Sequence, residues 1–574
     1  LKDIAFKIID FISQFEDELV KIWNKPKFAL NSNYVITLDR IADKNIELVE
    51  KILNYTNFDE QVKEWRDLGI VDDGFDKSKL IEDGNLSGKY HYLPIDTKYF
   101  KDLELNILRL FDDLDNALDG WLIKSENYQA LNTILPKFRE RVQTIYIDPP
   151  FNKEQDADYF YSVKYKDSSW ITLLENRIKL AKDVLSRNGS IYVKCDYNGN
   201  MYVRLLMNEI FGNENFRSEI LWKRFTGTKI QYKHFAIITD TIYCYSKSED
   251  WVYKQQYQEY TEKYIASQFK HEDKKGKYLL RNFYSAGDGP QREFFGKLIP
   301  PPPGHHWRYT QEGISQLIAD NKIVLDKQGF PKLKMYLHKM KGNPFSNLLT
   351  EMHVVQGSST EFFNFPTQNP EKLIKLFLLS SSNESDIVLD FFLGSGTTTA
   401  VAHKLNRKWI GVEMGGHFHK FRPEKGEIAG ALVRMKEVLA GRGNHEPCGI
   451  SKEIKWQGGG FFKYYELEQY ENTLRKVKYE DSDLFDNPYE DPYNQYVFMR
   501  DLKMLDALEI DYKNNKVKVD LSMIYQKIDI PETLSNLLGK GIRKITSEYV
   551  EFEDGEKIDI KHLDYKLVKP LIWW

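Results

Sequence analysis

The chain is poor in cysteine: Cys195, Cys244 and Cys448 are the only three among 574 residues. That is too few for a disulfide framework or a cysteine-rich zinc site, and it suits a reducing compartment. No apolar run is long enough to span a bilayer and no signal-peptide pattern stands out, so a cytoplasmic protein is expected. A strong charge of one sign is also missing. The formal net charge is only −4, so nucleic acid, if bound, needs a local basic face rather than a global field. There is no G-x-x-x-x-G-K-[ST] loop and hence no sign of ATP-driven translocation. No nuclease cluster and no internal repeat are visible. His305 and His306 have no cysteine or acid at ligand spacing, so no metal is expected there.

What is present is an interrupted α/β pattern. Ile4, Ile8, Phe11, Ile12, Phe15, Leu19, Ile22 and Trp23 recur at spacings of three and four, which predicts an N-terminal helix with one apolar stripe. Packing is the plain reading of that stripe and partner binding the sharper one. From about Trp121 the alternation begins. "GWLIKSENYQALNTIL" reads as strand, turn and helix, "RVQTIYID" as a strand, "SSWITLLENRIKLAKDVL" as a helix and "SIYVKCD" as the next strand. Strands alternating with helices imply parallel βαβ units. The alternation lapses between about Phe216 and Thr360 and returns at "NPEKLIKLFLLS", "DIVLDFFLGSGTTTAVAHKL" and "KWIGVEM". The expected division is therefore 1–120 mainly helical, 121–215 and 361–440 the two parts of one core, 216–360 an insert, and 441–574 an α+β extension.

Two short segments carry chemistry. In "DFFLGSGTT", the strand ending at Asp390, Phe391 and Phe392 runs into Gly394-Ser395-Gly396 and then a helix opening at Thr397. Glycine lets a backbone turn sharply and approach a ligand. About 20 residues further on, a second strand ends in an acid, here Glu413, suited to ribose hydroxyls. The third glycine of the dinucleotide fingerprint is absent, so the loop better suits a nucleoside without phosphates, such as S-adenosylmethionine.

The second segment is "IYIDPPFN", from Ile145 to Asn152. Ligands of open α/β sheets sit beyond the carboxyl ends of the strands. Asp148, Pro149, Pro150 and Phe151 stand there. An acid, a carbonyl fixed by prolines and a flat aromatic suit an exocyclic amino group on a base. Asp148 and the Pro149 carbonyl would accept its two hydrogens and localise the nitrogen lone pair, while Phe151 stacks on the base. Such a base must be flipped out of a duplex. The bland alternative is a capped turn after a strand.

The pair "DPPF" and "DFFLGSGTT" resembles the amino-methylating DNA methyltransferases, whose motifs are (D/N/S)PP(Y/F) and FxGxG. The order, catalytic motif first, is similar to the beta group, which places its target-recognition region between the two. "TQNPEKL" (Thr367–Leu373) is similar to the family's "TQKPEKL" segment, which helps bind the cofactor; Asn369 stands where that segment has lysine. "GWLIKSENYQALNTI", "PPPPGHHWRY" and "GVEMGGHF" further resemble the adenine-specific modification subunits of type III restriction–modification systems. The resemblance implies a Rossmann-like seven-stranded sheet, S-adenosylmethionine as donor, N6-methyladenine as product, a homodimer and often a separate restriction subunit. It also implies that Asp390, Phe391, Phe392, Gly394, Ser395, Gly396, Thr397, Glu413 and Asn369 line the cofactor site. An N4-cytosine methyltransferase and a non-catalytic DNA-recognition module remain the alternatives.

The insert is expected to read double-stranded DNA. Arg217, Lys223, Arg224, Lys229 and Lys233 are interleaved with Phe225, Tyr232 and Phe235, a pattern suited to phosphate contact and base displacement.

Overall fold

The computed structural model describes residues 2–150, 167–225, 227, 235–363, 365, 367–419, 430–441, 448–470, 508–511, 516–519, 521 and 525–572. The chain divides into two compact units, Leu1–Lys254 with Asn347–Trp574, and Gln255–Ser346. Among the described residues no helix is long and apolar enough to cross a membrane.

The first unit is built on one eleven-stranded sheet. In chain order its strands are β1 (Ala29–Thr37), β2 (Pro94–Asp96), β3 (Gly120–Lys124), β4 (Val142–Ile147), β5 (Leu185–Cys195), β6 (Phe216–Lys223), β7 (Thr239–Ser246), β8 (Leu348–Leu349), β9 (Ile387–Asp390), β10 (Lys408–Glu413) and β11 (Phe461–Leu467). Their order across the sheet is β8-β6-β7-β5-β4-β9-β10-β3-β11-β1-β2. The run β5-β4-β9-β10-β3-β11 is parallel throughout, and antiparallel strands flank it on both sides. Eight of the strands, β3 to β10, come from the stretch 120–413; β1, β2 and β11 are added by the flanks.

Helices cover both faces, as the side-chain alternation of a strand requires. Ile145, Ile147, Ile191 and Val193 share a core with Leu174 and Ile178 of the helix at Asp167–Val184. The residues between them point the other way: Tyr146 and Tyr192 stack on Phe377 at 5.9 and 4.8 Å between ring centroids. Phe377 belongs to the helix at Glu371–Ser381. A parallel sheet covered on two sides leaves only the strand ends for function.

Four features depart from the sequence reading. In the first helix, α1 (Lys2–Asn24), Ile22 is buried and Trp23 stacks on Tyr128, while Ile4, Ile8 and Ile12 are exposed. Helical periodicity marks a stripe but not what covers it. The region 1–120 also supplies strands β1 and β2. The stretch 216–360 is not one insert, because β6, β7 and β8 join the central sheet and residues 255–346 form the separate unit. β6 reads "FRSEILWK", the mixed composition of a strand near a sheet edge, which sequence periodicity does not separate from loop. Finally, β11 lies inside the sheet between β3 and β1, so part of 441–574 completes the core.

The unit 255–346 has a four-stranded antiparallel sheet, His271–Asp273, Gly276–Arg281, Pro331–Tyr336 and Ile323–Leu325, with hairpins beside it. Phe283, Phe294, Trp307, Ile314 and Ile323 form its core.

Candidate active site

Because β4, β9, β10 and β3 are parallel, their carboxyl ends open on one side. A cavity of about 350 Å³ lies there. It is lined by Asp148, Pro149 and Pro150 after β4, by Asp390 to Ser395 and Thr397 after β9, by Glu413 after β10, and by Ser125, Glu126 and Asn127 after β3. Asn369 lines it as well. Segments from four strand ends, scattered over almost 300 residues of sequence, therefore share one pocket within the size range of ligand sites.

The glycine turn is shaped by its backbone. Gly394 and Gly396 have φ of +56° and +80°, a region that side chains rarely adopt. A Cβ on Gly394 would also stand 3.2 Å from the Phe365 ring. Gly396 does not line the cavity; it caps the helix α2 (Thr397–Lys404). The loop is fastened to the neighbouring strand: Gly394 N–H donates to Glu413 Oε2 at 2.8 Å, and Gly415 N–H donates to Oε1 at 2.7 Å. Asp390 accepts from Phe392 N–H at 3.0 Å and from the Thr398 hydroxyl at 2.6 Å. Burial pushes the Asp390 carboxyl up to about 7; the two donors oppose this, and the charges of Asp148 and Glu413 add to it.

A buried network backs the loop. Glu371 takes Lys404 Nζ at 2.9 and 2.8 Å and Arg434 Nη2 at 2.9 Å. Arg434 Nη1 in turn donates to Thr397 Oγ1 at 2.8 Å. Burial alone would raise the Glu371 carboxyl, but the two cations outweigh it and hold it at about 2.

The loop after β4 is held from two sides. Trp170 Nε1 donates to the Pro150 carbonyl at 2.9 Å. Asp148 Oδ2 accepts from Lys194 Nζ at 2.8 Å and from Asn369 Nδ2 at 2.9 Å. Both contacts fall on Oδ2, and among the described residues Oδ1 takes no hydrogen bond. Beyond β3, Arg177 Nε donates to Asn127 Oδ1 at 2.6 Å and Arg177 Nη2 to Glu126; Asn127 Nδ2 donates to the Phe391 carbonyl at 3.0 Å.

Sequence reasoning missed Lys194, Trp170, Arg177 and the Ser125–Asn127 turn. Two signals were available. "KSEN" follows a strand just as "DPPF" does, and Lys194 is a charge directly after the apolar run Ile191-Tyr192-Val193. Of the expected DNA contacts, Arg217 and Arg224 are engaged within the protein. Arg217 Nε donates to Ser246 Oγ at 2.7 Å, and Arg224 Nε lies 3.2 Å from buried Asp240. Lys223 is half-buried at the end of β6. Phe151, Lys229 and Lys233 lie outside the described residues.

Residues 142–421 match the model of a family described as DNA methylase. The chain is 29% identical over 304 residues to the type II methyltransferase M.EcaI of Enterobacter cloacae, a match covering 52% of the chain and 67% of that protein. It is 26% identical over 497 residues to the probable type III restriction–modification enzyme HindVI Mod subunit of Haemophilus influenzae, covering 73% of the chain and 64% of the subunit. It is 25% identical over 291 residues to the DNA adenine methyltransferase YhdJ of Escherichia coli, covering 50% of the chain and 78% of that enzyme. The chain thus spans less than two thirds of the Haemophilus subunit's own length.

Proposed function

We propose that the protein is an S-adenosylmethionine-dependent DNA methyltransferase that modifies adenine N6 in duplex DNA. We assign it as the modification subunit of a type III-like system, working with a separate restriction subunit. One observation carries the reading: Asp148 and the Gly394–Glu413 turn line a single cavity.

The residues suit S-adenosylmethionine. The backbone at Gly394 is bare, Glu413 presents a carboxylate at a strand end, and the cavity is of ligand size. Glu413, with the backbone of Gly394 and Ser395, holds the nucleoside; Asp390 and Asn369 shape the walls. When bound, the cofactor supplies an electrophilic methyl group. Asp148 and the Pro149 carbonyl accept the N6 hydrogens of a flipped adenine, which localises the nitrogen lone pair. Phe151 is assigned to stack on the base. Trp170 keeps the prolines in place through the Pro150 carbonyl. Catalysis is then positioning and electrostatics. For DNA contact the proposal keeps Lys223, Lys229 and Lys233 and gives Arg217 and Arg224 structural roles.

The name of YhdJ and the type III Mod relatives support adenine over cytosine. The test is transfer of a tritiated methyl group to duplex DNA, followed by mass analysis of the nucleosides. N6-methyladenine is expected. N4-methylcytosine would move the enzyme to the cytosine class, and no incorporation despite cofactor binding would leave a recognition module.

A further inference from the structure

Lys194 is buried, its side chain 4% exposed, as the penultimate residue of β5. A lone ammonium there would be costly to bury. It is kept by a chain of alternating charge: Arg224 Nε to Asp240 Oδ1 at 3.2 Å, Asp240 Oδ2 to Lys194 Nζ at 3.6 Å, and Lys194 Nζ to Asp148 Oδ2 at 2.8 Å. The same ammonium donates to Asn369 Oδ1 at 3.0 Å, and Asn369 Nδ2 returns a bond to Asp148 Oδ2 at 2.9 Å. Lys194, Asn369 and Asp148 close a triangle.

Asn369 is the position where the resembling segment "TQKPEKL" has lysine. This chain has an amide at 369 beside Asp148, and its cation stands at 194, within hydrogen-bond reach of that amide. We propose that Lys194 is a positioning residue that supplies the cation position 369 lacks, and that the Lys194–Asn369 pair fixes Oδ2 of Asp148 so that Oδ1 faces the substrate amine. The inference rests on the proposed role of Asp148. Fixing one oxygen leaves the carboxylate a single orientation in which to accept an N6 hydrogen. A misplacement of about 1 Å in such a group can cost about 100-fold in rate.

An exchange experiment tests it. Lys194→Asn should lower kcat for methyl transfer by about 100-fold while cofactor Kd, by calorimetry on the full chain, changes by less than about threefold. The double variant Lys194→Asn with Asn369→Lys returns an ammonium to the same space from the other side. It should recover at least about tenfold of the lost kcat. Because the double variant keeps a cation beside Asp148, it decides the matter even where the single variant fails to fold. Two results overturn the inference: a Lys194→Asn enzyme with kcat near the parent's, or a double variant that binds cofactor normally and is as slow as one with no cation at either position. Asp148→Ala separates this from the underlying reading. Retained turnover in Asp148→Ala sinks the assignment of Asp148 itself. A dead Asp148→Ala beside a fully active Lys194→Asn sinks only the role given to Lys194.

Discussion

Asp148 and Asn369 stand 221 residues apart in the chain and are joined by a 2.9 Å hydrogen bond from Asn369 Nδ2 to Asp148 Oδ2. One follows β4; the other precedes the helix at Glu371–Ser381, whose Phe377 stacks on Tyr146 of β4. The acid proposed for the base and the segment proposed for the cofactor are therefore parts of one wall.

The first prediction concerns the acid. Asp148→Ala removes an acceptor of the amine without touching the Gly394 turn or Glu413. Methyl transfer should fall by at least about 100-fold, and cofactor affinity should stay near the parent's. A radiolabel transfer assay beside calorimetric titration measures both, and undiminished turnover refutes the role.

The second concerns the cofactor side. Glu413→Gln keeps the shape but leaves Gly394 N–H and Gly415 N–H facing an amide, one half of which is a donor. Hydrogen bonds to a charged acceptor are worth about 1.5–3 kcal/mol. Cofactor affinity should drop by about 10- to 100-fold, while kcat at saturating cofactor moves much less. A lower kcat with unchanged Kd contradicts the assignment.

A third prediction follows from Asp390, whose carboxyl is pushed up to about 7 by burial. Above the unfolded value, near pH 4, the folded protein still holds a proton that the unfolded chain has lost. This contribution is full below about pH 4 and is lost as pH rises through about 7. Asp390→Asn cannot titrate. The stability of the parent minus that of the variant, from urea unfolding, should therefore decline between pH 4 and pH 8. A flat difference across that window disproves the shift.

The fourth is at Glu371, held at about 2 because Lys404 and Arg434 outweigh burial. Its folded value lies below the unfolded one, so its contribution is present above about pH 4.5 and disappears as pH falls toward 2. Glu371→Gln leaves two buried cations without their acid, which should cost about 3–5 kcal/mol at neutral pH. Arg434 also holds Thr397, so cofactor affinity should weaken in the same variant.

The two loops were legible in sequence because each is local. A buried strand, a turn of unusual residues and a helix announce themselves within about 15 residues, and the rule for parallel sheets then brings their ends together. What lies between elements distant in the chain was not legible. β1 reads "ALNSNYVIT" and carries a bulge between Leu30 and Asn33; it becomes a strand because β11, more than 400 residues away, is there to pair with it. Lys194 was visible as a stray charge, but its meaning depends on Asp240 and Asn369. Arg217 and Arg224 have partners in Ser246 and Asp240, which sequence, showing a charge and not its partner, does not reveal.

β10, the strand that ends in Glu413, has as its neighbour β3, which starts at Gly120 and lies outside the matched span 142–421. β3 is backed in turn by β11, and β11 by β1. An expression fragment trimmed to the recognisable domain would bare β10 as an open edge, with Ile410 and Val412 parted from Trp121 and Ile123 and a row of unsatisfied amides inviting aggregation. The segments flanking the matched span are thus masonry for the pocket, and a fragment meant to stay in solution should keep them.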